Sequence, residues 1–273
     1  RRGVKKLCYV LPTGGGKTTV ASFMIAGAVA KNLRVMWFAH RRELIMQPSA
    51  RLDEMGIDHG IIMASHPRYD VSKPVQVASI DTAVRRELPP VDIVIVDEAH
   101  HARSDSYTEV LRKLNSPIVV GITATPCRLD GRGLGDIFDE LIIGPSVASL
   151  MDQGYLVPAM TYSWRVDTRG LRVTAGDFNQ KQANDKMSDA KLMGNVVDHW
   201  FKRCRGRQTI VFASGIGHSK LLRDRFAAAG VRVEHLDGNT PTDERDAMIR
   251  RLRSGELDII TNYGVLTEGT DIP

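Results

Sequence analysis

The feature that most restricts the fold is a rhythm of short, largely apolar runs that do not alternate apolar with polar residues. Residues 7–11, 35–39, 75–80, 93–96 and 118–122 have strand length and are rich in β-branched and aromatic side chains. A strand that is apolar on both its faces must be covered on both, which is the condition of a parallel sheet held between two layers of helix. Between these runs, residues 17–31 and 107–114 read as helices. Residues 41–55 read as a helix with a break near Pro48, whose ring removes a backbone N–H. Strand and helix alternate, so the expected class is α/β with a doubly wound parallel sheet.

A second, similar set starts near residue 209. Residues 209–213, 231–236 and 257–261 read as strands, and 217–229 and 243–252 as helices. The chain has 273 residues, and at roughly 100–200 residues per domain two domains are expected. The mixed, glycine-punctuated stretch between the sets carries a polar run at 179–189 with little to bury, and the hinge is expected there. The resulting division is a first lobe at 1–145, a connection at 146–190, and a second lobe at 191–273 whose last elements are missing.

Composition removes several classes. Apolar residues make up 42% and charged residues 25%, close to the globular average and far from a disordered or fibrous chain. No run approaches the roughly 20 apolar residues of a membrane span; the longest, 20–30, contains Ser22 and Gly27. The net charge of +5 permits nucleic-acid binding without demanding it. Cys8, Cys127 and Cys204 are widely separated, which argues against a disulfide framework or a zinc site and fits a reducing cytoplasm. Both ends look like cuts inside a longer gene product, with no apolar signal region at the first.

Two motifs carry chemistry. The run 7–11 leads into Pro12-Thr13-Gly14-Gly15-Gly16-Lys17-Thr18 and then directly into a helix. Glycines let backbone N–H groups face phosphate oxygens, and the helix N-terminus adds about half a positive charge. Lys17 is placed to neutralise the β- and γ-phosphates and the Thr18 hydroxyl to ligate Mg²⁺. Leu11 stands where the usual phosphate-loop pattern has its first glycine, which removes a dinucleotide-binding reading. The second motif is the apolar run 93–96 ending in Asp97-Glu98-Ala99-His100. If that strand lies beside the phosphate-loop strand, Asp97 holds Mg²⁺ and Glu98 orients or deprotonates an attacking water.

The loop at 12–18, the acidic run at 97–100 and Thr123-Ala124-Thr125 resemble motifs I, II and III of superfamily 2 helicases of the DEAD/DEAH-box type. Phe38-Ala39-His40-Arg41-Arg42-Glu43-Leu44-Ile45 looks like motif Ia, residues 79–86 like the strand-contacting motif after it, 209–214 like motif IV, and 266–273 like motif V. RNA-directed members read Pro-Thr-Arg-Glu-Leu-Ala, Ser-Ala-Thr and Arg-Gly-x-Asp at motifs Ia, III and V. The different residues here are similar to the DNA-directed branch shared with type III restriction subunits. Residues 121–134, 154–157 and 236–241 are similar to its RadD type in particular, which acts on DNA in recombination and repair.

The resemblance implies two RecA-like lobes clamping ATP and Mg²⁺, with single-stranded or fork-like DNA crossing both, in a cytoplasmic, nucleoid-associated protein that works with recombination or restriction proteins. It implies that His100 links motif II to the opposite lobe and that Thr123 and Thr125 couple nucleotide state to lobe movement. Gly269 and Asp271 would approach the nucleotide. His40, Arg41, Arg42, Thr82, Ser214 and Thr267 would meet the nucleic acid. Motif VI and its arginines would lie beyond Pro273, so this stretch alone is expected to hydrolyse ATP poorly. A nucleotide-gated binding module and an RNA helicase stay open as alternatives. The basic run 202–207 reads as the end of a helix, and Trp37, Trp164 and Trp200 read as core.

Overall fold

A computed structural model describes residues 4–102, 105–114, 117–127, 133–163, 169–174, 177–188 and 190–266. The chain divides into two compact units, Arg1–Thr161 and Tyr162–Pro273. In the first, the order is β1 (Lys6–Val10), α1 (Lys17–Val29), β2 (Val35–Ala39), α2 (Glu43–Glu54), β3 (His59–Ile62), β4 (Val75–Ser79), α3 (Ile80–Ala83), β5 (Ile93–Asp97), a 3-10 turn at Ala99–His101, α4 (Asp105–Lys113), β6 (Ile118–Thr123), β7 (Glu140–Ile143) and α5 (Val147–Asp152). The seven strands form one sheet in the order β3-β4-β2-β5-β6-β1-β7. Every pairing in it is parallel.

The uninterrupted apolar runs are explained by two cores on opposite faces of this sheet. Met36 and Phe38 of β2, with Val94 and Val96 of β5, pack toward Ile80, Ala83, Tyr107 and Val110 of α3 and α4. Their neighbours Val35, Trp37 and Ala39, with Ile95, pack toward Ala21 and Ile25 of α1 and Leu44, Ile45 and Leu52 of α2. Strand β2 is thus apolar and buried at every position because residues on both its faces meet helices.

Two expectations need correction here. Helix α2 runs through Pro48 without a break. The proline forgoes one bond to the Leu44 carbonyl, and the buried face of Leu44, Ile45, Pro48, Ser49 and Leu52 holds the helix against the sheet regardless. Second, β5 is not adjacent to β1: β6 lies between them, so the two chemical motifs stand two strand spacings apart, about 10 Å.

The second unit contains β8 (Val173–Thr174), β9 (Asp177–Phe178), α6 (Gln180–Met187), α7 (Ala190–Arg203), β10 (Thr209–Phe212), α8 (Ile216–Ala228), β11 (Val233–Leu236), α9 (Thr242–Ser254) and β12 (Ile259–Asn262). Strands β10-β12-β11 form a three-stranded parallel sheet. One face is covered by Trp200, Leu222 and Phe226 from α7 and α8, the other by Met248 and Leu252 from α9. The stretch 146–190, expected to be the connection, contains helices α5 and α6, and the boundary between the two units, Thr161 to Tyr162, falls within it. Trp37 and Trp200 are buried as expected; Trp164 lies outside the described residues.

Candidate active site

The site begins with the turn that joins β1 to α1. Gly14 and Gly16 have φ of 75° and 86°, the left-handed region that side chains avoid. The Gly15 N–H donates to the Pro12 carbonyl at 2.9 Å, which closes the turn. Gly16 caps α1, and no side chain bonds to the first helical amides. An uncapped helix start behind a glycine turn leaves those N–H groups for an anion. The loop is backed from below. A Cβ on Gly14 would meet Leu156 Cδ2 at 2.9 Å, and one on Gly15 would meet Leu11 Cγ at 2.9 Å and Leu150 Cδ1 at 3.2 Å. Leu156 belongs to the 154–157 run noted in the sequence; its role here is to pack under the loop.

Lys17 and Thr18 open α1, both half-buried, while Thr13 is exposed. Across the gap left by β6, Lys17 Nζ lies 3.9 Å from Glu98 Oε1. The lysine's long side chain spans the intervening strand, so the two motifs meet although their strands do not pair.

Asp97 is the last residue of β5 and is buried. Its Oδ1 accepts the Glu98 N–H at 3.0 Å. Burial, with the neighbouring Glu98 charge adding to it, pushes its pKa from 3.8 to about 7; the bond from the Glu98 N–H and the Lys17 charge work the other way. Glu98 itself adopts φ 47° and ψ 57°, a left-handed conformation that costs a non-glycine residue on the order of 1–3 kcal/mol and gathers at functional sites. The turn aims its carboxylate at Lys17 on one side and at His100 on the other, with Oε2 3.5 Å from His100 Nδ1.

His100 Nδ1 also lies 3.0 Å from Thr123 Oγ1, at the end of β6. Thr123 is fully buried. Its hydroxyl accepts the Thr125 N–H at 3.1 Å and lies 3.1 Å from the Thr125 carbonyl. The structure therefore brings together Lys17, Asp97, Glu98, His100, Thr123 and Thr125, all at or just beyond the C-terminal ends of β1, β5 and β6. This is the end of an open α/β sheet where ligands bind.

The other residues singled out in the sequence fall elsewhere. His40 follows β2 and turns its ring inward, 4.6 Å from the ring of His101. Arg41 is half-buried and Arg42 exposed at the start of α2. Thr82 Oγ1 accepts the Ala64 N–H at 3.2 Å, bracing a residue with φ 40°. Arg86 Nη2 donates to the Ala64 carbonyl at 2.6 Å. Ser214 lies in the second unit, with Oγ 2.9 Å from Nδ1 of the buried His218. Thr267, Gly269 and Asp271 lie outside the described residues. His101 stands beside the site, its ring centroid 4.1 Å from that of His100.

Among the described residues, no group of three His, Cys, Asp or Glu side chains has the arrangement of a metal centre. No helix among them is long and apolar enough to cross a membrane.

The family described as "Type III restriction enzyme, res subunit" matches residues 1–128, and that described as "Helicase conserved C-terminal domain" matches 190–273. The chain is 29% identical over 263 residues to the "51.5 kDa protein" of a Lactococcus phage, covering 96% of this chain and 56% of that one. It is 27% identical over 298 residues to "Putative ATP-dependent helicase IRC3" of Saccharomyces cerevisiae, covering 100% of this chain and 43% of that protein. The chain thus spans about half the length of these curated relatives. In fold it is similar to S. cerevisiae Dbp5 bound to RNA and ADP BeF3, with a TM-score of 0.63 at 20% identity, over 100% of this chain and 69% of that one. With both family matches in chain order across most of its length, the chain belongs to the superfamily 2 helicases, in the branch related to type III restriction subunits.

Proposed function

We propose that this chain is the motor portion of an ATP-dependent DNA translocase or helicase. The observation that carries the reading is the convergence of Lys17, Glu98, His100 and Thr123 beside an uncapped helix start. The loop amides at 14–18 hold the phosphate groups of ATP, and Lys17 leaves Glu98 to neutralise the terminal ones. Freed from Lys17, Glu98 orients an attacking water and takes its proton.

The donor set fits Mg²⁺. Thr18 offers a hydroxyl oxygen, and Asp97 is a buried carboxyl whose raised pKa marks a site short of positive charge. Thr18 and Asp97 would hold the ion, which supplies charge neutralisation on the phosphates. His100 and Thr123 tie the position of Glu98 to the end of β6, and Thr123 and Thr125 pass that position to the loop beyond. Gly269 and Asp271 complete the nucleotide site in this reading.

Arg41, Arg42, Thr82, Ser214 and Thr267 face the DNA, mainly through its phosphates, since a translocase must accept any sequence. The residues that favour DNA over RNA are His40-Arg41-Arg42 at motif Ia and Thr123-Ala124-Thr125 at motif III. The first lobe is taken as 1–145 and the second as 191–273, and the family's role in recombination or repair is proposed for this chain.

The test is steady-state ATP hydrolysis by the full-length protein with and without single-stranded DNA, with Lys17→Ala as the blank. Hydrolysis that rises with DNA, more than with RNA of the same length, is the expected result. Turnover no higher than the blank rules out the motor, and equal stimulation by RNA rules out the DNA preference.

A further inference from the structure

His101 has no part in the chemistry described so far, yet it is the middle of three histidine rings. Its ring centroid lies 4.1 Å from that of His100, with the planes at 44°, and 4.6 Å from that of His40, at 59°. Its Nε2 is buried with no hydrogen-bond partner among the described residues. A buried polar atom left unpaired costs on the order of 1–3 kcal/mol. The contacts recorded for this ring are with the two neighbouring histidine rings.

Each end of the stack is anchored. His100 Nδ1 meets Thr123 Oγ1 at 3.0 Å and Glu98 Oε2 at 3.5 Å. His40 is the residue between β2 and Arg41-Arg42, on the segment proposed to meet DNA. A continuous path of van der Waals contact therefore runs from the 40–42 segment through His101 to the carboxylate that faces Lys17. At these ring separations there is no slack, and packed side chains answer displacement by moving together or re-seating.

We infer that His101 is a positioning residue that couples occupancy of the 40–42 segment to the placement of Glu98. The inference rests on the reading of this site as a DNA-stimulated ATPase. When a strand draws Arg41 and Arg42 outward, His40 shifts, His101 follows, and His100 reorients against Glu98. In binding the coupling is reciprocal: nucleotide alters the affinity for the strand by the factor by which the strand alters the affinity for nucleotide.

The test compares the full-length protein with His101→Ala, which removes the ring, and His101→Phe, which keeps a ring and removes the unpaired nitrogen. Three quantities are measured: kcat and KM for ATP with and without an oligothymidylate, affinity for that oligonucleotide with and without a non-hydrolysable ATP analogue and Mg²⁺, and thermal melting. In His101→Ala, stimulation of kcat by DNA should fall by about fivefold or more, the lower range of typical couplings. The analogue's effect on oligonucleotide affinity should shrink as well, with KM for ATP in the absence of DNA unchanged. His101→Phe should keep both couplings.

Undiminished stimulation in His101→Ala overturns the inference. So does equal loss in His101→Phe, because then a nitrogen matters and the ring faces do not. A joint loss of kcat, KM and melting temperature in His101→Ala, with His101→Phe also impaired, makes the residue structural only. A wild-type protein that DNA does not stimulate refutes the ATPase reading itself, and this inference with it.

Discussion

The substitution Asp97→Asn should stabilise the metal-free protein, by an amount that grows with pH. In the folded state burial and the Glu98 charge lift the Asp97 pKa from 3.8 to about 7. Between those two values the native state holds a proton that the unfolded state has lost. Stability falls with rising pH wherever the native state binds more protons, so the wild type weakens from about pH 4 to pH 7 and stays weakened above. At about 1.4 kcal/mol for each tenfold difference, the ceiling on this loss is about 4 kcal/mol. The asparagine side chain keeps an oxygen to accept the Glu98 N–H, the bond now at 3.0 Å, and carries no charge to desolvate. Urea unfolding of both proteins in a chelating buffer, at intervals from pH 5 to pH 8.5, measures the difference. The advantage of the variant should be about 1–1.5 kcal/mol at pH 5 and reach about 2–4 kcal/mol above pH 7. Adding Mg²⁺ and ATP should then stabilise the wild type more than the variant, which keeps the loop but loses one ligand for the ion. A variant less stable than wild type at pH 8, or a gain equal at pH 5 and pH 8, would show that burial does not strain this carboxyl and refute the reasoning.

Other substitutions probe the remaining parts of the site. Glu98→Gln keeps the size and polarity of the side chain but cannot take a proton, so kcat should fall about 10²–10⁴-fold while nucleotide affinity, read by fluorescent-analogue titration, is retained. Gly14→Ala places a Cβ at φ 75° and 2.9 Å from Leu156 Cδ2; it should weaken nucleotide binding in that titration, and an unchanged affinity would mean the loop does not cradle phosphate. Gly121→Ala would drive a Cβ to 2.5 Å from Phe138 Cζ and 2.8 Å from Ala99 Cβ. It should lower the urea midpoint by an amount equivalent to about 1–3 kcal/mol, as overpacking does, and Phe138→Leu in the same chain should recover part of the loss.

The phosphate loop was legible because its parts are contiguous: strand, glycine turn, lysine-threonine pair and helix follow one another in the chain, and the left-handed Gly14 and Gly16 answer a local steric demand. The buried strands were legible for the same kind of reason, since a run such as 35–39 has no face to give to water. Strand β7 escaped notice because it is an edge strand of only four residues, all exposed. Helix α6 escaped because its sequence is polar almost throughout. The continuous α2 was misread because the local effect of Pro48 is outweighed by a tertiary one, the burial of its face.

Short-range sterics and side-chain chemistry, both written in the order of residues, dictate the α/β class, the parallel strands and the chemical identity of Lys17, Thr18, Asp97 and Glu98. They do not dictate that β6 separates β1 from β5, because strand order depends on which distant segments bury each other's faces. That order puts Thr123 between the two motifs, makes Lys17 reach across to Glu98, and sets His40 against His101. Those contacts join residues from β2, β5 and β6 that lie tens of positions apart in the chain, and only the packing of the sheet and its helices brings them within bonding distance.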